Sequence, residues 1–315
     1  MRVAVMSYRT LLLLVLMVPA LMLGGAKALG ERIPVPEIGR DYVKRFALSA
    51  GMPALELPPV EGPSDDSRPL IVIDAGHGGR DPGAVGNGIR EKDVVLAIAL
   101  LVRDLLLEQG TIRVAMTRAD DRIVTLSERP EIARRLDADL FLSIHADSAG
   151  TREDVSGASI YTLSQEASSE AAARFAAREN SADRLNGVMI EDTDNDVSAI
   201  LVELSQGRTQ EEATEFARLI EREGQDRIAF HPQAQRSAAL AVLRAPDVPG
   251  VLFESGFVTN RGDRALLTTP EGRAQYAQVL ARAIRVYFAR RADVSAPPSA
   301  ESGDAMKPAL AQIRR

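Results

Sequence analysis

The chain has 315 residues, of which 45% are apolar, enough to bury a sizeable core in one large domain or two small ones. Its formal net charge is −6, and this acidity argues against a nucleic-acid partner, because phosphate binding needs a basic surface. There is no cysteine, so the chain has no disulfide, and any metal ion must take histidine and carboxylate ligands.

The N-terminal residues have the order of a secretory signal peptide. Arg2 and Arg9 precede an apolar run, Leu11–Leu23, which is followed by the small-residue site Ala26–Ala28. The run is too short to span a bilayer comfortably, since a spanning helix needs roughly 20 apolar residues. We expect residues 1–28 to be removed, which leaves a secreted, periplasmic protein without a stable membrane anchor.

Composition divides the rest of the chain into three parts. Residues 29–68 are rich in Pro, Gly, Glu and Asp, which predicts a linker with at most one short helix near residues 41–49. Residues 292–315 are rich in Pro, Ser and Gly, which predicts a disordered tail. We therefore expect one folded domain over residues 69–291.

Short apolar runs alternate with helical periodicity inside this domain. Strands are predicted at residues 70–73, 112–116, 139–144, 157–162, 242–243 and 250–253, and helices at residues 94–105, 126–136 and from Thr269 onward. Such alternation indicates an α/β domain with a mostly parallel central sheet flanked by helices.

A helical insertion between about residues 164 and 228 interrupts this alternation. Ser168 or Ser169 can cap a first helix that runs to about Arg178. A second amphipathic set is formed by Val197, Ile200, Leu201 and Leu204. Thr209–Glu212 has the pattern of a capping box, which predicts the start of a third helix. Insertions of this size usually carry function rather than core packing.

Two of the three histidines come directly after apolar strands. His77 follows the first strand in a glycine-rich segment, and His145 follows the strand at residues 139–144. Because ligands collect at the carboxyl ends of parallel strands, these two side chains can converge on one point. His231 is predicted to lie in a surface loop.

Two glutamates are candidates for the same site. Glu91 opens a predicted helix after the glycine-rich segment, and two histidines with one glutamate and an open position make an ordinary catalytic zinc site. Glu254 ends the last apolar strand and is placed to act as a general base. Each of these residues alone also has an ordinary structural interpretation, such as a helix-terminal acid. Together they predict a metal hydrolase, without a substrate.

Three ordered motifs add a resemblance to this interpretation. They are Ile73–Gly79 with Asp81–Ala84 and Glu91–Asp93, then Leu142–Asp147, then Val251–Asn260. At these motifs the chain resembles the zinc-dependent N-acetylmuramoyl-L-alanine amidases, in particular the periplasmic cell-wall amidases of the cell-division type. The resemblance covers essentially all of residues 69–291.

The resemblance implies that His77, Glu91 and His145 bind Zn²⁺ and that Glu254 is the catalytic acid/base. It implies hydrolysis of the amide bond between N-acetylmuramic acid and the L-alanine of peptidoglycan stem peptides, in wall remodelling or daughter-cell separation. Two alternatives stay open at this point. One is a zinc peptidase that acts within the stem peptide, and the other is a peptidoglycan-binding module without turnover.

The helical insertion resembles the regulatory insertion of the cell-division members, in which a helix blocks the site and one glutamate caps the zinc. Glu179 falls where that glutamate is expected, so the resemblance implies an inhibitory fourth ligand; the alternative is a solvated helix face. It also implies an autoinhibited enzyme that an activator protein, of the LytM type seen with similar amidases, releases.

Overall fold

The structure is a computed structural model that describes residues 55–185 and 199–295. The predicted signal peptide, the short helix predicted near residues 41–49 and Val197 lie outside the described residues. Within the described ranges, no helix has the length and apolar character that crossing a membrane requires.

The elements follow in chain order. The strands are β1 (Leu70–Ala75), β2 (Val85–Gly86), β3 (Ile89–Arg90), β4 (Arg113–Met116), β5 (Leu140–Asp147), β6 (Ala158–Leu163), β7 (Phe230–Ala238) and β8 (Gly250–Phe257). The α-helices are α1 (Glu91–Leu107), α2 (Glu128–Arg135), α3 (Glu170–Glu179), α4 (Ala199–Gly224), α5 (Arg261–Thr268) and α6 (Pro270–Ser295).

A six-stranded sheet in the order β4-β1-β5-β8-β6-β7 forms the centre of the domain. Its neighbouring strands run parallel, except that β6 is antiparallel to β8. The predicted α/β domain with a mostly parallel sheet flanked by helices is therefore confirmed. The adjacent parallel strands β1, β5 and β8 end at the same edge, where such sheets place their ligands.

Both faces of the sheet are covered, which explains why its strands are continuous apolar runs rather than alternating ones. On one face, Ile71 and Ile73 of β1 belong to a buried cluster with residues of α1, α4 and α6. On the other face, Leu70 and Val72 pack in a second cluster with residues of α2 and α3, including Phe175. The helix α3 therefore lies on the sheet face opposite α1.

Three predicted elements differ from the structure. The strand predicted at residues 242–243 is a 3₁₀ turn, Ala241–Leu243, because these apolar residues pack under α2 and α3 rather than pairing with a strand. The strand β7 was missed, since it carries Pro232 and its burial does not alternate. Thr209 begins no helix, because α4 is continuous from Ala199 to Gly224.

The boundaries of the folded part also differ. Glu61 lies in the predicted linker but forms an antiparallel bridge with Val114. The part of the linker around Glu61 therefore pairs with the edge strand β4. The last helix continues to Ser295, a few residues into the predicted tail.

Candidate active site

The first candidate ligand, His77, lies in a sharp turn after β1. Its own backbone is left-handed, with φ of 61°, and Gly78 and Gly79 follow with φ of 125° and 61°. The imidazole Nδ1 lies 2.7 Å from Oδ2 of Asp81, and a carboxylate at this position holds the proton on Nδ1. The lone pair of Nε2 is therefore directed into the site.

Two buried arginines donate hydrogen bonds to the backbone of this turn. Arg118 donates to the carbonyl oxygens of Ala75 at 2.8 Å and Gly76 at 2.7 Å. Arg129 donates to the carbonyl oxygens of Ala75 at 2.9 Å and His77 at 2.8 Å. Three successive carbonyls, at the end of β1 and in the turn beyond it, thus accept hydrogen bonds from side chains.

Asp74 in β1 ties these arginines to the sheet. Its carboxylate accepts hydrogen bonds of 2.6 Å each from Arg129, from the Thr117 hydroxyl and from the Ser143 hydroxyl of β5. Burial alone would raise the pKa of Asp74, but the Arg129 guanidinium and the two hydroxyls outweigh it and lower that pKa. Asp74 is therefore an ionised, fully bonded anchor below the turn.

Glu91 begins α1, where a carboxylate is favourable at the helix N-terminus. Its Oε2 accepts from the Ala84 amide at 2.7 Å, and its Oε1 accepts from the Ala146 amide at 2.9 Å. The same Oε1 lies 3.1 Å from His77 Nε2 and 3.0 Å from His145 Nδ1. Burial opposes ionisation, yet the two histidines hold the pKa of Glu91 well below its usual value.

His145 lies near the end of β5, and its position depends on a glycine. A Cβ at Gly76 would collide with the His145 imidazole, so only glycine lets the ring approach the turn after β1. The rings of His77 and His145 meet edge to face, with centroids 4.8 Å apart. Two imidazoles from adjacent strands thus face one small space.

Glu179, the last residue of α3, reaches the same space. Its Oε2 lies 3.6 Å from His77 Nε2 and 3.4 Å from His145 Nδ1. One ligand atom each from His77, His145 and Glu179 lies within 4.8 Å of the others. The side chain is only 6% exposed, so Glu179 does not lie on a solvated helix face.

This donor set fits a bound cation. His77 Nε2 is buried and makes no hydrogen bond with the described residues, although a Glu91 oxygen lies 3.1 Å away. Both atoms are acceptors when Nδ1 carries the proton, and two buried acceptors at this distance need a cation between them. Burial alone would lower the pKa of His77, but Glu91, Asp81 and Glu179 raise it well above its usual value. Imidazole and carboxylate ligands suit zinc among other divalent metals.

Glu254 in β8 is a buried acid beside this cluster. It pairs in register with His145 of β5 on one side and with Ser159 of β6 on the other. Neither carboxylate oxygen has a hydrogen-bond partner among the described residues. Burial, and then the nearby carboxylates of Asp147 and Glu91, raise the pKa of Glu254 well above its usual value. A buried carboxyl group with free oxygens and a raised pKa is suited to moving a proton.

An ion pair links α3 to the end of β5. Arg178 Nη2 lies 2.5 Å from Asp147 Oδ1 and 3.2 Å from Glu179 Oε1. Burial raises the pKa of Asp147 to about 7 against the opposing effect of Arg178. The residue that precedes Glu179 therefore contacts the strand that carries His145.

The structure brings all five sequence-predicted residues together: His77, Glu91, His145, Glu179 and Glu254. It adds residues that sequence reasoning did not single out for a role, namely Asp74, Asp81, Arg118, Arg129, Asp147 and Arg178. Asp74, Asp81 and Asp147 lay inside the motifs, whereas the three arginines had no sequence signal. The surface loop predicted for His231 is wrong, since this half-buried residue lies in β7.

Comparison with known proteins gives consistent matches. The family described as "N-acetylmuramoyl-L-alanine amidase" matches residues 71–286. The N-acetylmuramoyl-L-alanine amidase AmiA of Salmonella typhimurium is 39% identical over 70% of this chain and 77% of its own length. AmiC of Escherichia coli is 33% identical over 84% of this chain and 63% of its own length. The solved structure of AmiC2 of Nostoc punctiforme is 32% identical, with a TM-score of 0.51 over 70% of this chain and 98% of its own.

Proposed function

This chain belongs to the N-acetylmuramoyl-L-alanine amidase family, and we propose that it cleaves peptidoglycan with the help of one zinc ion. The bond cut is the amide between N-acetylmuramic acid and the L-alanine of the stem peptide. One observation carries the proposal: two imidazoles and two carboxylates converge on one buried point beside Glu254, whose oxygens are free.

The ligands that we propose for zinc are His77 Nε2, His145 Nδ1 and a Glu91 oxygen. The metal, when bound, supplies a Lewis acid that polarises the scissile carbonyl. Asp81 holds the His77 ring by its other nitrogen, and the Ala84 and Ala146 amides hold the Glu91 carboxylate. These contacts support a site that keeps its shape before the substrate arrives.

Glu254 is proposed to carry the proton. One of its free oxygens accepts a proton from the water that attacks the carbonyl carbon, and the carboxyl group then donates that proton to the amide nitrogen. The carbon–nitrogen bond breaks, and the stem peptide leaves with a free L-alanine amine. The burial that raises the pKa of Glu254 keeps its protonated form accessible for the second transfer.

Glu179 is proposed to be an inhibitory fourth ligand. Its Oε2 lies 3.6 Å from His77 Nε2 and 3.4 Å from His145 Nδ1, which supports a carboxylate that takes a metal position the substrate would need. A partner that binds the insertion and prefers an open α3 would shift the population toward the active form. We propose a wall-associated activator of the LytM type for this role, and the predicted signal peptide supports a periplasmic location for this chain.

The experiment that tests the activity is digestion of purified sacculi, followed by mass analysis of the soluble products. Release of stem peptides that begin with L-alanine supports the amidase, with a Glu254→Gln protein as the inactive control. Shortened stems would instead identify a peptidase acting within the stem. Unaltered sacculi that retain the protein would identify a binding module.

A further inference from the structure

An arginine on the edge strand β7 lies two strands from Glu254 and keeps its charge unpaired. Arg236 is half-buried and donates from Nε to the Gln233 carbonyl at 3.0 Å, and from Nη1 to the Tyr161 hydroxyl at 3.1 Å. Its Nη2 lies 2.8 Å from Nδ1 of His231. Within the part of the chain that the structure describes, the guanidinium contacts these neutral groups and no carboxylate.

The partners of this guanidinium are neutral. Nδ1 of His231 also accepts the Gln233 amide at 3.0 Å, so it acts as an acceptor, and burial lowers the pKa of His231. Burial raises the pKa of Tyr161 to about 12, which keeps the phenol protonated at neutral pH. These contacts use three of the five N–H groups of Arg236, and the other two have no acceptor among the described residues.

A bulge in β7 brings this group to the level of the proposed catalytic acid. The β6–β7 register passes from Ala158 opposite Phe230 to Ile160 opposite Gln235, so residues 231–234 form the bulge. On its other side, β6 places Ser159 opposite Glu254. The Arg236 side chain contacts the bulge through Gln233, and it therefore turns toward the edge of the sheet where Glu254 lies.

Tyr161 connects the arginine with the site and with α3. Besides burial, three nearby charges act on the pKa of the Tyr161 phenol: Arg236 lowers it, whereas Glu254 and Asp147 raise it. Its ring stacks on Phe175 of α3, with centroids 4.4 Å apart. The arginine, the phenol and the proposed blocking helix thus form one wall beside the acidic centre.

The residues around the candidate site are mostly acidic, so an arginine without a carboxylate partner matters for the binding of an anionic ligand. Glu91, Glu179 and Glu254 are buried acids, Asp147 beside them is partly buried, and these carboxylates repel an anionic ligand. Among the described basic residues near them, Arg178 contacts Asp147 and Glu179, while Arg118 and Arg129 bond the turn carbonyls. A peptide that carries carboxylates needs a cation with open donors, and Arg236 has them.

We propose that Arg236, oriented by Tyr161 and His231, binds a carboxylate of the stem peptide while the amide bond to be cut lies at the metal. This inference rests on the proposed amidase function and names the part of the substrate that the site selects. The planar guanidinium suits a carboxylate because it offers two parallel N–H groups, which a lysine at this position would lack.

The test compares two soluble muropeptides that differ only in whether the stem carboxylates are free or amidated. Zinc-loaded Glu179→Ala protein, in which the proposed blocking ligand is absent, is the starting enzyme for Arg236→Gln, Arg236→Lys and Arg285→Gln. Arg285 is the matched control, since it is half-buried on the other face of the sheet and donates to the Leu105 carbonyl. Thermal unfolding of each variant establishes that it is folded.

The expected result is that Arg236→Gln raises KM for the free-carboxylate stem about tenfold and leaves kcat within about twofold, as loss of a charge-assisted contact to substrate predicts. Arg236→Lys restores part of the loss, and Arg285→Gln has no effect. The amidated stem has the higher KM already with Arg236 present and does not respond to the substitution.

Equal KM values for the two stems with Arg236 present, or equal responses to Arg236→Gln and Arg285→Gln, overturn the proposal. Failure of the proposed function gives a different result, because no variant then releases peptide from either stem. In that case, calorimetric titration of the two muropeptides into the same zinc-loaded proteins still decides the inference. Binding that distinguishes the stems only when Arg236 is present supports it, and equal binding refutes it.

Discussion

Arg129 donates one hydrogen bond to the carbonyl of His77 and another to the carboxylate of Asp74, so a single buried side chain joins the ligand turn to the centre of the sheet. The bond to Asp74 is 2.6 Å and lies in a fully buried environment. The left-handed backbone of His77 is therefore held by a contact to the buried centre of the sheet.

Replacing this arginine is expected to weaken metal binding. Arg129→Lys keeps the charge, but a lysine cannot reach Asp74, Ala75, His77 and Val124 together as the guanidinium does. We expect zinc affinity to fall by about tenfold or more and the unfolding free energy to drop by about 1–3 kcal/mol, the scale for leaving a buried hydrogen-bond acceptor unsatisfied. Chelator competition and urea unfolding measure the two effects. Arg135→Lys, an exposed change on the same helix, should alter neither, and unchanged affinity in Arg129→Lys would contradict the role.

The candidate ligands are tested by metal content. Purified protein should carry about one zinc per chain, and His77→Ala or His145→Ala should remove both the metal and the activity, since a three-ligand site does not tolerate losing an imidazole. Elemental analysis after dialysis measures the metal. His231→Ala is the matched control and should keep its zinc. A zinc-free His145→Ala protein with full activity would refute the site.

Glu254 should separate binding from catalysis. Glu254→Gln keeps the size of the side chain and removes the proton acceptor, so the protein should retain zinc and lose rate by roughly 10²-fold or more, the usual scale of general acid–base catalysis. Sacculus digestion gives the rate, and elemental analysis gives the metal. If the variant loses its zinc as well, Glu254 is a ligand and the proton is carried by another group.

Glu179 should restrain the enzyme. Glu179→Ala removes the carboxylate that α3 places near His77 and His145. We expect basal activity on sacculi to rise by about tenfold, which corresponds to a free-energy difference of about 1.4 kcal/mol between the closed and open forms. Glu170→Ala, at the exposed start of the same helix, serves as the control. Unchanged activity in Glu179→Ala, with the unaltered protein already fully active alone, would favour a substrate-shaping role for the insertion.

Gly76 provides a steric test of the site. A methyl group at this position collides with the His145 ring, so Gly76→Ala should reduce zinc affinity although no ligand is altered. Gly207→Ala, in α4 where the added Cβ meets nothing within 4 Å, should leave zinc affinity unchanged. Titration with a chromogenic chelator compares the two proteins, and equal affinities would show that His145 can move without losing the metal.

The sequence predicted those site residues that follow strands, because strand ends are recognisable from local apolar runs. His77, His145 and Glu254 belong to this class, and Glu91 follows from the helix that it begins. The contact between Asp74 and Arg129 spans 55 residues; Asp74 lies inside a motif, but no local pattern shows that Arg129 is its partner. Such pairs are fixed by the order of strands in the sheet, which local patterns do not contain.

Local sequence patterns also gave wrong predictions where tertiary packing determined the structure. The capping box at Thr209 has the right residue types, yet Phe216 and Ile220 pack in the core along one uninterrupted helix, so the chain does not break there. The β7 strand was missed because Pro232 lies in its bulge. That same bulge places His231 beside Arg236, so the prediction failed at a place where we now propose function.

His77 and Glu91 lie 14 residues apart, whereas His145 and Glu179 are more distant in sequence, and the sheet with its packed helices brings the four residues together. An unfolded chain therefore has no local segment that carries the complete set of candidate ligands. Early capture of a wrong metal by an unfolded stretch is disfavoured, since no two of the histidines are near neighbours in sequence. We infer that the metal binds late in folding. The ion that is bound then depends on the geometry of the folded site and on the ions available around the protein.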